Sequence, residues 1–367
     1  MRRATVLIAA TLSMAACSEA AEEPGGTEGS GETGAGSSTG ATVTGSTSAA
    51  ADTTTSADST GPATAEWTVA RELGPDLGMV MSVWGETASD VRVVGGQLLE
   101  DGSTGFVLRR EGAEWMPESV PADTPMLHWV GPAGDDVWIV GREGAALRRE
   151  ADAWVRYASS TEVDLWGVWG AAEDDVWAVG GGGAADPPTL LHFDGEAWSV
   201  APLPADMPRS SNALFKVWGA DAEHVFVVGE GGVALEGVGP DWNPTYAESV
   251  APFIAVRGRN ATDVVAVGGR SNARIARFDG DGWQDTTLID PGLNGVWVDG
   301  SGVATLVGRL GGIYELPPGS LKPTSVDSPT LDLLHAVHGF DDGSRIAVGG
   351  TFDGAPPWSG VILEHPG

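Results

Sequence analysis

Residues 164–204 read DLWGVWGAAEDDVWAVGGGGAADPPTLLHFDGEAWSVAPLP, and four short strands can be marked on them. Leu165–Trp169 and Val176–Val179 are apolar, the second without interruption, as suits a strand covered on both faces. Thr189–Phe193 and Ala197–Ala201 follow, joined through Asp194-Gly195, a pair that favours a tight hairpin because that turn needs positive φ. Gly180 closes the second strand, where a side chain would crowd the turn that follows.

The same frame returns along the chain. Closing glycines stand at Gly95, Gly141, Gly180, Gly229, Gly268, Gly308 and Gly349, spaced 46, 39, 49, 39, 40 and 41 residues apart. Each follows by ten residues the end of a preceding apolar segment. Fourth strands carry Trp115, Trp154, Trp198, Trp242 and Trp283 in matching places, whereas the sixth copy has Leu321 there and no hairpin signal. A period near forty with several short strands per unit indicates a β-propeller or a similar array. The seventh copy ends at LEHPG after its third strand, and the missing outer strand is found at the other end, where Ala65–Glu72 reads AEWTVARE against EAWSVAPL. The expected fold is therefore all-β: a seven-bladed β-propeller of four-stranded blades, with the N-terminal strand closing the last blade.

The 367 residues hold 20 Lys and Arg against 51 Asp and Glu, a net charge of -31. A nucleic-acid binder needs a basic face to replace phosphate counterions, so that class is excluded. The N-terminus, MRRATVLIAATLSMAAC, has a positive start at Arg2 and Arg3, an apolar run too short to span a bilayer, and small residues before Cys17. It resembles a bacterial lipoprotein signal, which implies removal of residues 1–16 and lipidation of Cys17. Ser18 rather than Asp after that cysteine implies, by the same resemblance, the outer membrane. Cys17 is the only cysteine, so structural disulfides are excluded. Residues 17–63 form a Gly/Ser/Thr-rich tether without Lys, Arg or aromatic residues, expected to be disordered, and 64–367 form the propeller.

The VWG, DDVWAVG and LLHFDGEAW elements resemble the repeats of predicted surface lipoproteins of Gram-negative bacteria such as myxobacteria, over about 300 residues. That resemblance implies the architecture and an exported, membrane-anchored address. It implies almost no chemistry, because propellers host enzymes, lectins and scaffolds alike.

Connections from second to third strand and from fourth to first vary in length, and in an up-and-down blade they emerge on one face. Pro187, Pro188, Phe352 and Trp358 lie in the longest second-to-third connections and are the candidate ligand-binding residues, with Trp358 alternatively capping the seventh copy. The acidic residues Asp90, Asp135-Asp136, Asp174-Asp175 and Asp263, with His224 in register, lack the alternating oxygens of a Ca²⁺ loop and are expected to bond turn amides. Trp84, Trp129, Trp166, Trp169, Trp218 and Trp297 are expected to pack between blades. His335 and His338 should sit on opposite faces of a strand. No Ser–His–Asp ordering or Cys–His metal spacing emerges, so no catalytic residue, metal or cofactor is assigned. The expected role is a non-catalytic, lipid-anchored monomer that meets the membrane through its N-terminal lipid and binds an extracellular protein or glycan. The alternatives are a propeller enzyme of lyase or glycoside hydrolase type and a purely structural surface protein.

Overall fold

The computed structural model describes residues 66–182, 186–207, 211–237, 242–246, 251–352 and 354–367; the leader, Cys17 and the tether lie outside them. Among the described residues the regular elements are β-strands, apart from short 3-10 turns at Arg142–Gly144, Glu230–Gly232 and Arg309–Gly311. The fold is all-β and propeller-like. The quoted copy forms strands Leu165–Ala172, Asp175–Gly180, Thr189–Phe193 and Trp198–Val200, each antiparallel to the next. The tight hairpins need the left-handed glycines read from sequence, with φ at +91° in Gly195 and +96° in Gly280.

The strands make five four-stranded sheets and one of eight, in which two four-stranded halves meet at a single parallel bridge, Gly170 with Ala133. Strand Thr68–Leu73 lies antiparallel to Gly360–His365, the far end of the chain. In the sixth copy, where no hairpin signal marks the outer strand, Thr324–Val326 still pairs with Ile313–Leu316. First strands sit side by side from copy to copy, and Leu333–Gly339 in turn neighbours Met79–Thr87.

Two repeated contacts account for the constant residues. The closing glycines are extended, with φ of -166°, -165° and -170° at Gly141, Gly229 and Gly308, so left-handed backbone is not their reason. A Cβ on any of the seven would run into the main-chain oxygen of the residue at the head of the paired first strand, for example Asp164 opposite Gly180 or Leu333 opposite Gly349. The second contact explains the VWG triplet. A methyl on Gly258 would come within 2.6 Å of the Trp218 ring, one on Gly339 within 2.7 Å of Trp297, and Gly219 lies under Trp169 in the same way. In these three places the tryptophan of one copy is laid on the glycine of the next.

The repeated carboxylates do something other than bond turn amides. Asp90 pairs with Arg109 at 3.0 Å, Asp136 with Arg148, Asp175 with His192 at 2.9 Å, and Asp263 with Arg277 at 3.0 Å. Each stands two residues before the second-strand residue opposite its partner (Arg92, Trp138, Trp177 and Val265), so these are diagonal cross-strand pairs. Turn amides are bonded instead by Asp194, Asp221, Asp279, Asp299 and Asp342. The correction has a simple cause: the sequence reading placed the carboxylates inside the turn, whereas they open the second strand.

Candidate functional site

Every first strand carries an extra residue against its partner at the same place near its start: Met81, His128, Trp166, Phe215, Ile254, Asn294 and His335. A bulge bends its strand and re-aims the side chain at the irregularity. Here the result is a common basin. Six of these residues line one cavity of about 70 Å³, and the seventh, His128, stacks on Trp166 at 4.1 Å with an interplanar angle of 7°. Gly182, Gly269, Arg270, Arg309 and Phe352 complete its rim. All of these rim residues follow closing glycines, so the cavity opens on the face that bears the second-to-third connections.

A second chamber of about 40 Å³ lies further along the first strands. Val83, Val130, Val168, Val217, Val256, Val296 and Val337, two residues beyond each bulge, all line it, together with Trp84, Trp129, Trp169, Trp218 and Trp297. Lys216 borders both spaces. Its Nζ donates to the main-chain oxygens of Trp166 at 2.8 Å and Phe215 at 3.2 Å and lies 4.2 Å from the centre of the Trp129 ring. Burial pushes the ammonium down to about 7. Arg257, which stands at the position of Trp84, Trp169, Trp218 and Trp297 in four other copies, lines the second chamber and is lowered by burial to about 10.

Three histidines in the first strands are held neutral. His128 Nδ1 donates to Leu165 O, His335 Nδ1 to Met81 O and His338 Nε2 to Gly85 O, each at 2.9 Å. Burial lowers all three to about 3, and for His335 the Lys216 charge adds to the effect. The expectation that His335 and His338 face opposite ways is corrected, since both reach the strand Met79–Thr87. The bulge at His335 breaks the alternation on which that expectation rested.

A pH dependence follows. These imidazoles bind a proton in the folded chain only near pH 3, but in the unfolded chain near 6.5, so acid favours unfolding. Stability present above pH 6.5 is lost as pH falls below it, and each histidine should remove roughly 2 kcal/mol between pH 6.5 and 5. Denaturant unfolding at pH 7, 6 and 5 measures the slope. His338→Gln, which keeps a donor for Gly85 O, should reduce that slope by one proton; an unchanged slope would mean that His338 is already charged in the fold.

Of the four residues singled out from sequence, Phe352 and Trp358 come together, their ring centres 5.4 Å apart, whereas Pro187 and Pro188 lie outside that cluster. Phe352 lines the mouth of the larger cavity. Trp358 is buried, packs with Met79, Met81, Met126 and Phe352, and donates Nε1 to Gly354 O at 2.8 Å. Gln97 clamps its main chain, donating to Trp358 O at 2.9 Å and accepting from Trp358 N at 3.0 Å. Pro187 is exposed and Pro188 half-buried beside Gly181, outside the cavity lining. Trp166 differs from the other inner tryptophans, facing the cavity and donating Nε1 to Gly181 O at 2.7 Å. The tryptophan reading missed this because it did not separate the bulge position from the VWG position. Lys216 and Arg257 were missed altogether, although a lone cation inside an apolar first strand was a visible break in the repeat.

No protein-family model matches the sequence, and no curated protein does. Solved structures match the fold. A virginiamycin B lyase from Staphylococcus aureus, catalytically inactive and solved with quinupristin, has a TM-score of 0.65 at 10% identity, covering 82% of this chain and 99% of that one. YCF48 from Cyanidioschyzon merolae gives 0.58 at 14% identity, covering 82% and 98%. The WD40 propeller domain of Doa1 gives 0.58 at 12%, covering 81% and 96%. At such identities the likeness concerns fold alone.

Proposed function

We propose that this chain is a lipid-anchored, non-catalytic surface module that binds a protein partner at the mouth of its central cavity. In this reading the strands form seven four-stranded blades. The eight-stranded sheet is two blades touching at one bridge, and Thr68–Leu73 supplies the outer strand that the C-terminal copy lacks. Residues 1–16 are the signal, Cys17 takes the lipid, and residues 17–63 hold the propeller off the outer membrane. Stretched fully, such a tether reaches about 150 Å.

The observation that carries the binding role is the ring of bulges. Seven equivalent positions are filled by Met, Trp, Phe and Ile together with two His and one Asn, and six of these side chains line one opening. A concave apolar site with a few polar groups is what a partner's side chain needs as an anchor. A fold relative supports the protein class of partner, since YCF48 was also solved bound to a D1 peptide, at 12% identity and a TM-score of 0.59.

The test is a surface-protein and peptide binding screen of the full chain, with Phe215→Ala and Phe352→Ala beside Asp174→Ala. Binders found with the wild type should weaken at least about tenfold with either aromatic removed, about 1.4 kcal/mol, and not in the Asp174 control. Cys17→Ser should release the protein from the membrane fraction. Partners that bind all three variants alike would overturn the mouth as the site, and membrane retention of Cys17→Ser would overturn the anchor.

A further inference from the structure

We propose that the second chamber is a binding site for one small anion, of the class of a halide or a short carboxylate such as formate, held between Lys216 and Arg257. The inference does not depend on what docks at the mouth.

The charge distribution is the starting point. The chain carries a net charge of -31, yet among the described residues no carboxylate lines either cavity. Cations line them instead: Lys216 and Arg257 in the chamber, Arg270 and Arg309 at the outer rim. The rim cation Arg270 is already engaged by Glu230 at 3.1 Å. The chamber cations are different. Lys216 has two main-chain oxygens and an aromatic face but no opposite charge. Desolvation alone moves Arg257, with no carboxylate opposing it. In an apolar enclosure a cation without a counterion is costly, and an anion brought into the same space is attracted far more strongly than in water.

Size and walls choose the ligand. A chamber of about 40 Å³ suits an ion of a few atoms, such as a halide or formate. The walls are mostly apolar, seven valines and five tryptophans, and the histidine among them, His338, has its Nε2 engaged by Gly85 O. A guanidinium presents paired N–H donors that suit a carboxylate, while the ammonium acts as a point charge that any anion satisfies. The neighbouring titratable groups, His335, His128 and His338, are neutral above pH 5 and donate to carbonyls elsewhere. Lys216 loses its proton above pH 7, so an anion that needs its charge should bind with proton uptake and weaken at higher pH.

The chamber's tryptophans provide the readout. Iodide quenches indole fluorescence on contact, and an acidic surface repels it, so a saturable quenching component reports an internal site. The full-length protein should show that component at pH 6.5 and constant ionic strength, with formate competing for it and caesium producing no counterpart. Acrylamide, neutral, measures general accessibility. Arg257→Met, which leaves no partner behind, and Lys216→Met should each weaken iodide at least tenfold at unchanged acrylamide quenching. Raising the pH from 6.5 to 8.5 should weaken it in the wild type and not in Lys216→Met. If Lys216→Met does not fold, Arg257→Met decides alone. Linear, non-saturating iodide quenching, or equal affinity in wild type and Arg257→Met, would overturn the site.

Discussion

Gly349→Val should cost about 4 kcal/mol or more and leave little folded protein, although no catalytic or charged group is touched. The second strand Arg345–Gly350 runs so close to the head of its first strand that a Cβ at this position would overlap Leu333 O and come within 2.8 Å of Leu334 Cα. Both atoms are main chain, so no rotamer change relieves the overlap, and either the strand pair separates or the sheet shifts. Gly349 is extended at the end of a ladder, and the cost is one of approach rather than of φ. Gly282→Ala is the matching control, since a methyl there meets nothing within 4 Å and the change should stay within about 0.5 kcal/mol. Chemical denaturation of both variants checks the contrast. A fully stable Gly349→Val protein would mean that the strands tolerate a wider spacing than the closing glycines imply.

These glycines are also why the repeat was legible in the sequence at all. Close backbone approach admits one residue type, so the closing position survives in every copy, while Gly219, Gly258 and Gly339 each lie under a tryptophan of the copy before. This second position is less constant, and the second copy has Pro132 and the sixth Val298 there. The strands of the quoted copy and the left-handed Gly195 followed from the same local logic. The cavity did not. A bulge changes which way one residue points without changing composition or period, so Phe215 and Ile254 read as ordinary strand residues. The role of the repeated carboxylates depended on a cross-strand diagonal that a linear reading does not contain. Trp358 looked available because it lies in a long connection, but Gln97, 261 residues away in sequence, fixes it. Lys216 and Arg257 show the useful converse: in a repeat protein, the copy that departs from the pattern marks the position with a role of its own.

Removing the N-terminal strand should have the larger consequence for the whole molecule. A chain starting at Gly61 should unfold cooperatively, whereas one starting at Gly74 should be destabilised by roughly 5 kcal/mol or more, comparable to the total stability of a domain. The deleted segment contributes two buried anchors. Trp67 packs among Val307, Ile313, Leu334, Val337, Val361 and Leu363, and Leu73 lies with Val80, Ile346 and Ile362. Losing a buried tryptophan alone costs about 3–5 kcal/mol in a typical core. The hydrogen-bond ladder to Gly360–His365 would be lost as well, leaving that strand as an unpaired edge open to other chains. Arg71 also donates to Trp115 O at 2.5 Å, which ties the segment to the first copy as well as the seventh. The shorter chain should therefore melt earlier and also self-associate, a pairing of effects that simple loss of a surface tail would not produce. Calorimetry with light scattering separates the two. Equal melting temperatures for the chains starting at Gly61 and Gly74, with both monomeric, would show that the fold does not depend on Thr68–Leu73.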